Sequence, residues 1–190
     1  TTMKTTATLL LLSLAAGSTS ALSSIPDARN PNAVIKTMAQ GMGLLKPIFG
    51  AEAKLQAAIL GFNVDEDDMV TEIEAQKKAN KALIYTYALS PFSTEALAML
   101  DASGFEYTKI ELGAEWFLLG PEQSVTRVAL SKEVENGATS LPKIFIGGKC
   151  IGGCSELATL VESGELEGLM KKSKVSPKGG AVKKSGFSFF

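Results

Sequence analysis

Residues 82–104, ALIYTYALSPFSTEALAMLDASG, decide the architecture. The first six are rich in β-branched and aromatic side chains, which suit a short strand. From Pro91 to Ser103, Phe92, Ala96, Leu97, Met99 and Leu100 recur at helical spacing, and Gly104 supplies a stop. Ser90 is a favoured N-cap and Pro91 suits the first helical position, so the strand runs straight into a helix start.

Working outward, Phe105 to Leu112 (FEYTKIEL) alternates with period two, and Pro121 to Asn136 reads as a helix ended by Gly137. Lys143 to Ile146 (KIFI) is a strand, Gly147-Gly148 a turn, and Lys149 to Ile151 a return strand. Two helices follow, Cys154 to Glu162 and Glu165 to Lys172, separated by Ser163-Gly164. The order over 81–172 is therefore β-α-β-α-β-β-α, an α/β domain.

The flanks read differently. Residues 1–21 have the form of a signal peptide: Met3 and Lys4, an apolar run from Ala7 to Ala16, then small residues to Ala21; the run is too short to span a bilayer. Residues 22–50 are acid-poor and mildly basic, like an organelle transit segment, although Leu22 stands where an aromatic residue usually follows such a cleavage point. A two-part presequence of this kind predicts a plastid protein; the alternative is a secreted or endomembrane one. Met38 to Phe62 is apolar but broken by Gly41, Gly43, Pro47, Gly50 and Gly61, which predicts short helices and no membrane span in the mature chain. Residues 51–80 form a helical extension, in which the acids 65–68 precede Met69, Val70 and Ile73 at helical spacing and Lys77-Lys78 close the segment. Residues 173–190 hold lysines, Pro177 and glycines with no acid, and are expected to be a disordered basic tail ending in Phe187-Ser188-Phe189-Phe190.

Composition closes off several functions. With no histidine in 190 residues, the commonest general base and most catalytic zinc sites are gone. Two cysteines, Cys150 and Cys154, are too few for a four-cysteine metal site, so no metal is expected. Nineteen Lys and Arg balance twenty Asp and Glu, which argues against nucleic acid as a partner. Trp116, Phe117, Leu118 and Leu119 put four large apolar side chains into an expected loop, where they either cover the sheet edge or pack under the N-terminal extension, or else form a protein-docking patch together with the terminal extensions. Arg127 is expected on a solvated helix face.

Three stretches in order carry a resemblance: Tyr85 to Ser93, Thr139-Ser140-Leu141-Pro142, and Phe145 to Leu157 (FIGGKCIGGCSEL). Together they resemble the glutaredoxins, whose thioredoxin-like fold is a mixed four-stranded sheet flanked by helices. The first stretch matches the family's Cys-Pro-Tyr/Phe-Cys turn except that Ser90 and Ser93 replace both cysteines. The second matches its Thr-Val-Pro loop, which implies a cis peptide before Pro142. The third is similar to its Gly-Gly-Lys-x-Ile-Gly-Gly-x-x-Asp segment.

The resemblance implies glutathione-disulfide oxidoreductase activity, yet the change of residue type removes the means. A thiolate at a helix start has its pKa lowered from ~8.5 to roughly 3.5–7.5, whereas a serine hydroxyl stays protonated without a base, and exchange through a mixed disulfide needs sulfur. The resemblance further implies glutathione contacts at Leu141, Pro142, Gly153, Cys154, Ser155 and Glu156, with Tyr87 replacing the family lysine that meets the glycyl carboxylate. The expectation is a redox-inactive glutathione- or peptide-binding or complex-docking module. The alternative is an oxidoreductase or transferase acting through Cys154 or glutathione itself, with Cys150 and Cys154 as the remaining redox atoms.

Overall fold

A computed structural model describes residues 46–179. The expected signal peptide, most of the expected transit-like segment and the terminal aromatics lie outside the described residues. The elements are α1 (Lys46–Leu60), α2 (Glu66–Ala79), β1 (Ala82–Tyr87), α3 (Pro91–Ala102), β2 (Thr108–Gly113), a 3₁₀ turn (Trp116–Leu118), α4 (Pro121–Ser131), β3 (Lys143–Ile146), β4 (Lys149–Gly152), α5 (Cys154–Glu162) and α6 (Glu165–Lys172). The sheet order is β2-β1-β3-β4. β1 pairs with β2 in parallel and with β3 antiparallel, and β3 pairs antiparallel with β4. This is the mixed four-stranded, helix-flanked sheet of the thioredoxin-like fold.

β1 is buried along its whole length, as expected of a central strand whose two faces both meet helices. Leu83, Tyr85 and Tyr87 pack with Ile73 of α2, Leu130 of α4 and Phe145 of β3. On the opposite face Ile84 is equally buried, as are Leu100 of α3 and Leu157 of α5, whose helices lie against each other.

The extension is held by similar means. Asp65 caps α2 by accepting the Asp67 N–H at 2.9 Å, and acids open the helix while Lys77 and Lys78 close it. A 14-residue helix is marginal alone, so its place depends on Ile73, worth about 1.5–3 kcal/mol when buried, and on Lys77 reaching Glu133 at 2.9 Å. α1 packs across α4. At its end Gly61 approaches so closely that an added Cβ would meet Val125 Cγ2 at 2.3 Å. Among the described residues no helix is long and apolar enough to cross a membrane.

Three expectations need correcting. α4 stops at Ser131, with Lys132 as cap, because the chain then turns toward Gly137 rather than continuing the helix to Asn136. β2 begins at Thr108, and Phe105 forms a separate bridge to Pro177. The tail is not disordered from Ser173: Val175 is buried, Glu106 N–H donates to Ser176 C=O at 2.8 Å, and Lys178 N–H donates to Gly104 C=O at 2.7 Å. Backbone pairing holds this strap, and composition does not reveal it.

Candidate functional site

The turn between β1 and α3 forms the centre of the site. Ser90 is the N-cap of α3, its Oγ accepting the Ser93 N–H at 3.3 Å, and Pro91 opens the helix. Ser93 Oγ in turn accepts the Tyr87 N–H at 3.2 Å. Ser90 is 6% and Ser93 1% exposed. Both hydroxyls are thus committed to holding the strand-to-helix corner, and among the described residues neither has a basic side chain as hydrogen-bond partner to draw off a proton.

The Leu141–Pro142 peptide is cis, as the resemblance implied. Among the described residues neither Leu141 N–H nor its C=O enters a backbone hydrogen bond, so the backbone of this loop is left unpaired while the Leu141 side chain packs in the core. Gly153 lies against the same loop: a Cβ there would stand 3.1 Å from Pro142 C=O. Its bareness lets the start of α5 approach Pro142, and so brings Leu141, Pro142, Gly153, Cys154, Ser155 and Glu156 to one side of the molecule. Glu156 does not reach outward. Its Oε2 accepts Gly153 N–H at 2.8 Å and the Ser155 hydroxyl at 3.0 Å. Burial opposes its charge, but these donors, its own N–H and Lys143 hold the carboxyl below the usual range.

Cys150 and Cys154 are free, with no disulfide between them. Cys154, at the start of α5, has its pKa pushed up to about 11 by burial, with Glu95 and Glu156 adding to the shift. Burial likewise raises Cys150. Position at a helix start is therefore outweighed, for Cys154, by desolvation and two nearby carboxylates.

The loop 116–119 divides. Trp116 meets Phe49 of α1 edge-on at 6.2 Å, its C=O accepts from Gln56 Nε2 at 2.9 Å, and Leu119 is buried in the core, whereas Leu118 is 63% exposed. The segment mainly packs under the extension.

Arg127 is the largest departure from expectation. It is 3% exposed rather than solvated. Its Nε donates to Thr139 C=O at 3.2 Å and Nη2 to Thr139 Oγ1 at 3.4 Å; Nη1 reaches Glu52 Oε2 at 3.0 Å, Glu52 Oε1 at 3.3 Å and Gln56 Oε1 at 3.3 Å. The guanidinium also lies 5.7 Å over the Trp116 ring. Losing one partner of such a buried pair costs about 3–5 kcal/mol, so it fixes α1 to the domain. Beside it Tyr87 Oη is buried against Arg127, and among the described residues its O–H finds no acceptor. Burial raises the Tyr87 pKa, Arg127 opposes the shift, and Glu52 and Glu115 reinforce it. Glu52 and Arg127 stand 75 residues apart, and nothing in the sequence signals their pairing.

No protein-family model matches the chain. Individual proteins do. A probable glutaredoxin of Synechocystis is 36% identical over 90 residues, 47% of this chain and 92% of that protein. A chloroplastic monothiol glutaredoxin of Arabidopsis thaliana is 31% identical over 94 residues, 50% of this chain and 49% of that protein. Among solved structures, a buckwheat glutaredoxin-glutathione complex superposes with a TM-score of 0.52 at 20% identity, covering 58% of this chain and 94% of that one, a likeness of fold. The coverage of the Synechocystis protein, together with the sheet order and the cis-proline loop beside α5, shows that this chain belongs to the glutaredoxin family.

Proposed function

We propose that this glutaredoxin-family chain binds glutathione, or a peptide like it, without performing thiol exchange at the tip of α3. The observation that carries this reading is the pair Ser90 and Ser93: both positions lack sulfur, and both hydroxyls are spent on the corner between β1 and α3. The binding half rests on the unpaired backbone at Leu141 and on the N–H groups of Cys154 and Ser155 at the start of α5, which suit an anionic group. Glu156 already turns back onto Gly153, so a ligand ammonium would meet a carboxylate held in place rather than a free arm.

The alternative, chemistry through Cys154, has less support. With its pKa near 11, only on the order of 10⁻⁴ of this thiol is thiolate at pH 7. A docking role would use the exposed Leu118 and Leu89, since Leu119 is buried and Trp116 faces α1. A plastid location fits the two-part presequence and the chloroplastic relative.

Reduction of a glutathione mixed disulfide by the purified chain tests the chemistry, and a titration with reduced glutathione watching the Leu141, Cys154 and Ser155 amides tests the binding. The expected result is shifted amides, no turnover by the native chain, and turnover gained by Ser90→Cys. Native turnover that survives Ser90→Ala and disappears in Cys154→Ser would refute the reading.

A further inference from the structure

Glu52 belongs to α1, outside the glutaredoxin-like domain, yet its carboxylate rests on Arg127, a residue tied to the site itself. Arg127 grips Thr139, two residues before Leu141, and lies within electrostatic reach of Tyr87, three residues before Ser90. A guanidinium that donates to a carboxylate is thus bonded to the chain two residues from Leu141. Next to it the buried Tyr87 hydroxyl faces Arg127, which can only donate to its oxygen, so among the described residues the phenolic O–H itself has no acceptor.

We propose that α1 is an intramolecular plug, in which Glu52 occupies the seat for the terminal carboxylate of a peptide laid along Leu141, so that the ligand binds only as Glu52 gives up Arg127. The inference rests on the glutathione-binding reading above. Three features support it. A fork-shaped guanidinium matches a carboxylate from either source, so exchanging one for the other keeps the buried charge paired. The two carboxylates exclude each other, because Glu115 already adds negative charge near Tyr87, and a further anion would crowd a single cation. Apart from the Glu52–Arg127 pair itself, much of α1 is free of the core: Ile48, Leu55 and Ile59 face outward, while Ala53, Gln56, the edge of Phe49 on Trp116 and the Phe49 C=O that accepts from Thr139 Oγ1 at 3.3 Å face inward, so the pair that the ligand would replace is a main part of the helix's hold.

The plug reduces apparent affinity by the fraction of molecules in which the seat is free. Full chain, native and Glu52→Gln, is titrated with reduced glutathione and with its analogue carrying a primary amide in place of the glycyl carboxylate. Glu52→Gln is expected to tighten glutathione by about tenfold and to leave the weaker binding of the amide unchanged. A second measurement needs no variant and decides the matter if Glu52→Gln does not fold. Saturating the native chain with glutathione, but not with the amide, is expected to quicken hydrogen exchange in residues 48–60. Equal affinity of the native and Glu52→Gln chains, with α1 exchange unchanged on saturation, overturns the plug while leaving glutathione binding standing. No binding by either chain overturns both.

Discussion

Ser93 is the residue on which the corner of the site turns. Its Oγ is the acceptor for the buried Tyr87 N–H, so Ser93→Ala leaves a backbone donor unpaired and is expected to destabilise the fold by about 1–3 kcal/mol. Ser90→Ala removes only a cap and should cost about 1 kcal/mol. Because Ser90 Oγ accepts from Ser93 N–H, the two losses are coupled, and the double variant should fall short of the sum. Urea denaturation with an unchanged m-value measures all three. The residue types at 90 and 93 could be read from sequence, as could their capping chemistry. The engagement of Ser93 with Tyr87 could not, because it depends on how the strand end folds back over the first turn of α3.

Among the elements, the strap 173–179 carries its own test. Lys178 pairs with Asp101 on α3 and lies 4.7 Å over the Tyr107 ring. Hydrogen bonds from Lys178 and Tyr107 hold the Asp101 carboxyl below its usual value. A carboxyl whose folded pKa is depressed stabilises above its unfolded value, here 3.8, and that contribution is lost as pH falls through the folded one. The strap should therefore loosen in acid below about pH 4. At neutral pH Asp101→Asn should quicken amide exchange at Glu106 and Lys178 by about two- to fivefold, an effect suited to an exposed ion pair. Exchange at these two amides that ignores both acid and the substitution would show that the backbone bonds alone hold the strap.

For the molecule as a whole, all three tyrosines are raised in pKa. Burial, with Glu72 and Glu133, pushes Tyr85 up to about 12; burial and the bond to Asp101 push Tyr107 up to about 12; Tyr87 is raised further. The unfolded chain sheds these protons near pH ~10, whereas the folded chain keeps them. Stability is thus fully present below that pH and is lost as pH climbs toward 12, with Tyr85 alone accounting for about 2–3 kcal/mol. Phenolate absorbance should accordingly rise together with the loss of far-ultraviolet dichroism, in one cooperative step. Tyrosine titration near pH ~10 in a chain still folded would contradict this.

Periodicity and punctuation were enough to place β1, α5 and α6, since Pro91, the Gly147-Gly148 turn and Ser163-Gly164 act on their immediate neighbours. Local motifs likewise determined the family, the missing sulfur and the cis bond before Pro142. Tertiary structure alone decided what spans long separations: the Glu52–Arg127 pair, the inward turn of Trp116, the strap on Phe105, and the raised pKa of Cys154, buried beside Glu95 and Glu156. The physical reason is range. Capping, turns and helical spacing are settled within a few residues, whereas desolvation and charge pairing depend on which distant side chains the packed fold brings together.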